Sequence, residues 1–273
     1  MTFSMQLAER TRLLDAARLA ARTAGHVVRE GYQQPRGVGV HHKGVIDLVT
    51  DTDRRSEQVV REVLTRHTSL PILGEEEGMQ GEPADVMWVI DPIDGTTNFV
   101  QRLPHFAVSI GIWAHGRALL GVVYDVMREE MFATDGTTAW LNDTQLPTLH
   151  AAPLEDALLG SGFSYDRRTN PDNNFDLWEA FISRCRCGRR MGSAALDLAW
   201  VAAGRLDGYW EANLKPWDFC AGVAIAEAVG ARCTTYSGQA LALRNSTMVC
   251  APNELHATML DMIREHRRFP LYD

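Results

Sequence analysis

WVIDPIDGTTNFV, residues 88–100, opens as an apolar run and then turns abruptly into a cluster of oxygen-bearing side chains. Together with the two residues before it, the apolar part (VMWVI, 86–90) has the length and composition of a buried strand. Asp91 then falls at the carboxyl end of that strand, where α/β sheets tend to place their chemistry. Pro92 interrupts the ladder and stiffens the exit. Asp94 follows three residues after Asp91, so a tight turn brings both carboxylates towards one point. Gly95 permits positive φ, and Thr96 and Thr97 suit the cap of a short helix through Asn98–Gln101 that Pro104 stops. The free N–H groups at such a helix start attract an anion, phosphate above all. Hard oxygen ligands beside an anion cradle suit Mg²⁺ bridging carboxylates to a phosphate. The same letters also suit an Asp-Gly hairpin or a routine Asp helix cap, and on this stretch alone both readings stand.

Other segments supply further acids. In GEEEG (74–78), Glu75 directly follows the apolar strand PILG, Glu76 is placed to support it from behind, and Glu77 fits a surface turn. KPWDFCAGVAIAEAVG puts Asp218 at the head of a helix of small residues. KGVIDLVTDTD contributes Asp47 and, around it, Lys43, Asp51 and Asp53; the last two read as solvated residues or as caps for the following helix. Acids drawn from separate segments to one place repel each other unless cations sit between them.

The 273-residue chain, 45% hydrophobic and 23% charged, can bury a sizeable core. A net charge of −8 argues against a nucleic-acid footprint; the densest basic cluster, RCRCGRR (184–190), is short and reads as a solvated loop or helix end. Cysteines 185, 187, 220, 233 and 250 form neither a CxxC pair nor a zinc pattern, which fits reduced thiols in a cytoplasmic protein. The N-terminus reads as an amphipathic helix ending near Gly31 rather than a secretory signal, and no apolar run has the length of a membrane span.

Beyond the first helix, the pattern gives a second one from about Asp53 to Arg66, then successive strands through FAVSIGIWAHGRALLGVVYDVMREEMFAT. After LPTLHAAPLED it shifts towards alternating strands and helices: ALLGSGF, DNNFDLWEAFISRC, SAALDLAWVAAG, LDGYWE and WDFCAGVAIAEAVG. The division falls near residue 150, giving a half 1–149 with most of the candidate ligands and a half 150–273 that completes the site. The class is mixed α and β in layers.

DLVTDTD, GEE within ILGEEEG, WVIDPIDGTTNFV, FAVSIG, GVVYD, GSAALDLAWVAAGRLDGYWE and PWDFCAGVAIAEAVG, in this order, resemble the inositol monophosphatase family of Mg²⁺-dependent, lithium-sensitive phosphatases. The resemblance implies a layered αβαβα sandwich of the inositol monophosphatase/fructose-1,6-bisphosphatase type, usually a homodimer. It implies two or three Mg²⁺ ions held by Glu75, Asp91, Asp94, Asp218 and the carbonyl of Ile93. It gives Glu75 and a Thr96–Asp47 pair the activation of water, Gly95 and Thr96 the phosphate, and Asp94, Ala194, Glu211 and Asp218 the rest of the substrate. The implied reaction is hydrolysis of a small phosphorylated polyol, inositol 1-phosphate first, by a metal-activated water. Histidinol phosphate, fructose 1,6-bisphosphate, 3′-phosphoadenosine 5′-phosphate and NADP remain as alternatives, with Lys215, Arg189 and Arg190 as candidates for reading a second phosphate. A dimeric regulatory or scaffold role is the alternative of another class.

Overall fold

The computed structural model describes residues 5–35, 37, 39–42, 48–244 and 247–270. Its central strand, β5 (Val86–Asp94), is apolar on both faces: Met87 and Val89 enter one buried cluster, Trp88 and Ile90 another. Such a strand has to be covered on both sides. β5 lies between β3 (Ile72–Gly74), to which it is parallel, and β6 (Ala107–Ala114), to which it is antiparallel. Beyond β3 comes β4 (Gly78–Gln80). Beyond β6 follow β7 (Arg117–Asp125), β8 (Glu130–Thr134), β9 (Ala139–Leu141) and β10 (Thr144–Gln145), completing eight strands. The helices α1 (Leu7–Gln33) and α2 (Asp51–His67) cover the Trp88 face. A separate antiparallel pair, β1 (Val40–His42) and β2 (Leu48–Thr50), leads into α2, and the short helix α3 (Thr96–Gln101) leaves the end of β5.

The Met87 face is covered by α5 (Ala194–Ala202) and α6 (Pro216–Ala228). These two helices also pack on a five-stranded sheet ordered β12 (Cys187–Arg189), β11 (Leu158–Ser161), β13 (Gly208–Ala212), β15 (Thr247–Pro252) and β14 (Ala231–Thr234). Its outer face packs through Trp210, Val249 and Ala251 on α4 (Phe175–Ile182) and α7 (Asn253–His266). Five layers result, α-β-α-β-α, with the middle core filling both faces of the α5–α6 layer. The eight-stranded sheet uses residues before 146 and the five-stranded sheet residues after 157, yet the middle core joins Val89, Val123 and Phe132 to Tyr209, Met248 and Cys250. Among the described residues no helix is long and apolar enough to cross a membrane.

Several elements differ from the sequence-based expectation. α2 begins at Asp51 because Thr50 and Asp53 form a reciprocal cap: Thr50 N–H donates to Asp53 Oδ2 at 2.8 Å, and Asp53 N–H to Thr50 Oγ1 at 3.3 Å. β5 does not end at Asp91 but runs through Pro92. The register with β6 shifts between Asp91↔Ser109 and Asp94↔Ala107, an irregularity that accommodates a residue with no N–H to give. Part of RCRCGRR is not a loop or helix end but the edge strand β12. Residues 231–266, where the sequence reading assigned no element, form β14, β15 and α7.

α6 lies directly on the sheet because the surface beneath it is glycine. Gly111 and Gly121 face each other across β6 and β7. A Cβ on Gly111 would lie 2.7 Å from Cys220 Sγ and 2.9 Å from the Ala221 nitrogen, and one on Gly121 would overlap the Ala221 carbonyl oxygen. The opposite side of α6 is as close, since a Cβ on Gly222 would lie 2.6 Å from Leu198 Cβ. Gly121→Ala is therefore expected to destabilise the protein by about 1–3 kcal/mol through overpacking. A urea midpoint equal to that of the wild type would show that α6 does not rest on these glycines.

Candidate metal centre and substrate cavity

The irregularity at Pro92 turns two acids of one strand towards the same point. Asp91, Asp94 and Asp218 offer carboxylate oxygens that all lie within 4.8 Å of one another. Each is oriented by a hydrogen bond. Ile93 N–H donates to Asp91 Oδ1 at 3.0 Å, and Lys215 N–H donates to Asp218 Oδ2 at 2.6 Å in the first turn of α6. Asp94 Oδ2 accepts from the Ser193 hydroxyl at 2.6 Å and from Ala195 N–H at 2.7 Å, at the start of α5. Glu75, in the turn between β3 and β4, lines the adjoining cavity.

Burial and mutual repulsion set the charge state here. Burial, then the negative charges of Glu75, Asp94 and Asp218, push the Asp91 carboxyl well above the usual range. Burial and Asp94 do the same to Asp218. Burial raises Asp94 to about 6 against the opposing hydrogen bonds from Ser193 and Ala195. Three hard oxygen donors converging so closely that they hold one another's protons are a donor set that fits Mg²⁺. The Ile93 carbonyl faces Thr96, whose hydroxyl lies 3.1 Å from it.

α3 starts beside this cluster. Gly95 has φ 99°, and a Cβ on it would lie 3.1 Å from the His105 carbonyl and 3.2 Å from that of Gly192, so glycine is required twice over. Asn98 Nδ2 donates to the carbonyls of His105 and Met191, both at 2.8 Å, and so ties the turn to the second half of the chain. The N–H groups of Gly95 and Thr96 open the helix, where no intrahelical acceptor exists for them.

Asp47, expected as the partner of Thr96, lies outside the described residues, as does Lys43. The carboxylate that Thr96 meets is Asp53, whose Oδ1 lies 3.0 Å from the Thr96 hydroxyl. Asp53 was read as a solvated or capping residue. It is a cap, but a fully buried one, because the cap with Thr50 draws its carboxylate in over the start of α2 towards α3. Burial raises it to about 6 despite the hydrogen bonds from Thr50. Asp51 is the exposed member of the pair, 3.0 Å from His41.

The cavity beside the acids has a volume of about 490 Å³. Glu75, Asp94, Gly95, Ala194, Glu211 and Asp218 all line it. Asp91, Ile93 and Thr96 lie behind this lining, all buried. Glu211 is held by the hydroxyl of Tyr209, which donates to Oε2. Burial raises its carboxyl to about 7, with the Tyr209 bond and Arg190 acting the other way. A Cβ on Gly162 would overlap the Glu211 carboxylate, so the glycine of GSGF is what leaves the acid its place. Of the three cations considered for a second phosphate, Arg190 and Lys215 line the cavity and Arg189 does not. The sequence reading missed Ser193, Asp197 and His105. Asp197 is fully buried, with Oδ1 3.6 Å from His105 Nε2, and its signal was a lone acid inside the apolar run SAALDLAWVAA.

The sequence matches the inositol monophosphatase family over residues 9–268. It is 42% identical over 232 residues to the Nus factor SuhB of Escherichia coli (strain K12), covering 83% of this chain and 86% of that protein. The fold is similar to that of the inositol monophosphatase from Anabaena (Nostoc) sp. PCC 7120, with a TM-score of 0.84 and 36% identity over 94% of this chain and 96% of the other. It is also similar to the Staphylococcus aureus enzyme SaIMPase-II solved with inositol monophosphate bound, with a TM-score of 0.75 and 28% identity over 90% and 91%. With the acidic cluster, the α3 turn and the adjoining cavity in a five-layer sandwich, these likenesses make the chain a member of the inositol monophosphatase family and a phosphoric monoester hydrolase.

Proposed function

We propose that the chain hydrolyses inositol 1-phosphate to myo-inositol and phosphate. The observation that carries this substrate is the Glu211 carboxylate, fixed by Tyr209 in the lining of the same cavity as Asp94, where it can accept hydrogen bonds from a polyol's hydroxyls. Glu75, Asp91, Asp94, Asp218 and the Ile93 carbonyl would hold Mg²⁺, which would supply positive charge to the phosphoryl group. The chain's own groups do the rest. The N–H groups of Gly95 and Thr96 receive the phosphate. A water directed by Glu75 and the Thr96 hydroxyl would attack phosphorus in line and break the bond to the ester oxygen, which takes a proton from solvent and leaves as the alcohol. The attacking water's proton passes through the Thr96 hydroxyl to Asp53, whose carboxyl, raised to about 6, is suited to accept a proton near neutrality. Ala194 and Glu211 hold the polyol during the displacement.

Five unpaired thiols support a reducing, cytoplasmic setting. A second reading is favoured by one specific observation: the relative in Escherichia coli is named a Nus factor, not a hydrolase. A role as a factor alongside hydrolysis predicts that Asp94→Asn, which removes a charge from the acidic cluster, abolishes phosphate release yet still complements loss of the gene. Failure of that variant to complement would leave catalysis as the cellular function.

Phosphate release is to be measured with Mg²⁺ on inositol 1-phosphate, fructose 1,6-bisphosphate, histidinol phosphate, 3′-phosphoadenosine 5′-phosphate and NADP. The expected preference is inositol 1-phosphate. Glu211→Gln should lower its kcat/KM by roughly 10- to 100-fold, the worth of one hydrogen bond to a charged group. A preference for another substrate that Glu211→Gln leaves unchanged would remove the polyol assignment.

Metal binding has a pH signature of known sign. Asp91, Asp94 and Asp218 bind protons more tightly in the folded protein than in the unfolded chain. In EDTA they favour the folded state at low pH and lose that contribution as pH rises above about 4, through the folded value of about 6 for Asp94 and beyond. Mg²⁺ competes with those protons, so the rise in Tm on adding Mg²⁺ should grow from pH 5 to pH 7.5. An Mg²⁺ effect on Tm that is independent of pH would argue against these carboxylates as the ligands.

A further inference from the structure

Helix α2 carries a buried polar stripe of which only the first member, Asp53, enters the proposed hydrolysis. Asp53, Ser56, Glu57 and Arg61 fall at helical spacing on one face, and all four are buried. Each grips a different piece of the site. Asp53 meets Thr96, and the Ser56 hydroxyl donates to the Pro92 carbonyl at 3.0 Å, inside the irregularity between the two β5 acids. Glu57 accepts the N–H groups of Glu76 and Glu77, at 2.8 and 3.0 Å, immediately after Glu75.

Arg61 completes the arrangement. Its Nε and Nη2 donate to Glu57 Oε1 at 2.9 and 2.6 Å, and Nη2 also donates to the Gly78 carbonyl at 2.7 Å. Nη1 reaches Gln80 Oε1 at 3.2 Å. The other end of the turn is as tightly seated: a Cβ on Gly74 would lie 2.5 Å from both Arg61 Nη2 and Glu57 Oε1. The whole turn from Gly74 to Gly78 thus lies flush on one buried ion pair. A buried pair of this kind adds little net stability over apolar residues of the same volume. What it supplies is directional: a carboxylate and a guanidinium bonded to successive backbone groups fix where the turn sits and how it is rotated.

We propose that Glu57 and Arg61 are positioning residues that set Glu75 against the Asp91–Asp94–Asp218 cluster, and so tune the affinity of the site for Mg²⁺. The inference rests on the reading of Glu75 as a metal ligand. Neither residue touches substrate; both act through the turn.

Full-length wild type, Glu57→Gln, Gly74→Ala and Glu75→Gln are to be compared by calorimetric titration with MgCl₂ in the absence of substrate, alongside kcat, KM and thermal melts. Glu57→Gln removes the charge and one acceptor, while Gly74→Ala pushes the turn off the pair from the opposite side with no change in charge. Both should weaken Mg²⁺ binding by ~10- to 100-fold, the usual consequence of removing a group that orients a ligand. At saturating Mg²⁺, KM for the phosphomonoester should stay within about twofold of wild type and most of kcat should return. If both variants lower Tm and leave Mg²⁺ affinity at the wild-type value, the pair is purely structural and the proposal is wrong. If Glu75→Gln loses Mg²⁺ affinity while the other two keep it, the positioning role alone falls. If Glu75→Gln binds Mg²⁺ as the wild type does, the ligand reading of Glu75 falls and takes this inference with it.

Discussion

Repulsion between buried carboxylates is the constraint around which this molecule is organised. Asp91, Asp94 and Asp218 converge within 4.8 Å, and burial together with their mutual charge drives their carboxyls upward. A flexible chain would relieve such a cluster by moving apart. Here none of the acids can do so, because each is fixed to a rigid element and oriented by a backbone N–H: that of Ile93, of Ala195 or of Lys215. The five layers supply the rigidity. β5 is clamped between two cores, and α6 is pressed against Gly111 and Gly121 so closely that the first turn of the helix has no room to drift. The fold itself thus holds the acids together, and a cation bound among them would offset their repulsion.

This origin explains what was legible in the sequence. The convergence in DPIDGTTN is local, since strand end, proline, paired acids, a glycine with positive φ and a helix start all lie within a few residues, but the same letters suit a hairpin or a plain cap until the other acids are brought in. Glu75 and Asp218 were legible for the same reason, each being an acid at the boundary of a recognisable element. Assignments that depended on long-range packing were harder. Asp53 looked like a surface cap because a cap is all its neighbours require; that it is buried against Thr96 depends on where α2 docks, which no local pattern states. Glu57 and Arg61 have the i,i+4 spacing of an ordinary surface pair, and nothing local marks them as buried. β14 and β15 went unread because their segment has little alternation when both faces of the five-stranded sheet are covered.

The two halves of the chain divide the labour unequally. Glu75, Asp91, Asp94, Gly95 and Thr96, with Asp53 behind them, come from the first sheet and its helices, whereas Ala194, Glu211, Arg190 and Gly162 come from the second half. Asp94 belongs to both. One oxygen is bound by Ser193 and Ala195 at the start of α5, and the carboxylate still reaches the Asp91–Asp218 cluster. Any shift of α5 relative to β5 is therefore felt directly at the acids. That coupling is a physical reason for the middle core to be built of small side chains in direct contact, such as Ala195, Ala199, Ala221 and Gly222, which leave little slack between the sheets.

The same division confines a change of substrate to the second half of the chain. Glu211 occupies its place only because residue 162 is glycine, and its charge is opposed by Arg190 and held by Tyr209. A larger side chain at 162 displaces the acid, and loss of the acid removes one negative charge from a lining that also holds Arg190 and Lys215. A pocket altered in this way would favour an anionic leaving group over a neutral polyol, with the acidic cluster untouched. On the proposed reading, a few residues on α5, β13 and the loop after β11, rather than the acidic cluster, would decide between one substrate and another.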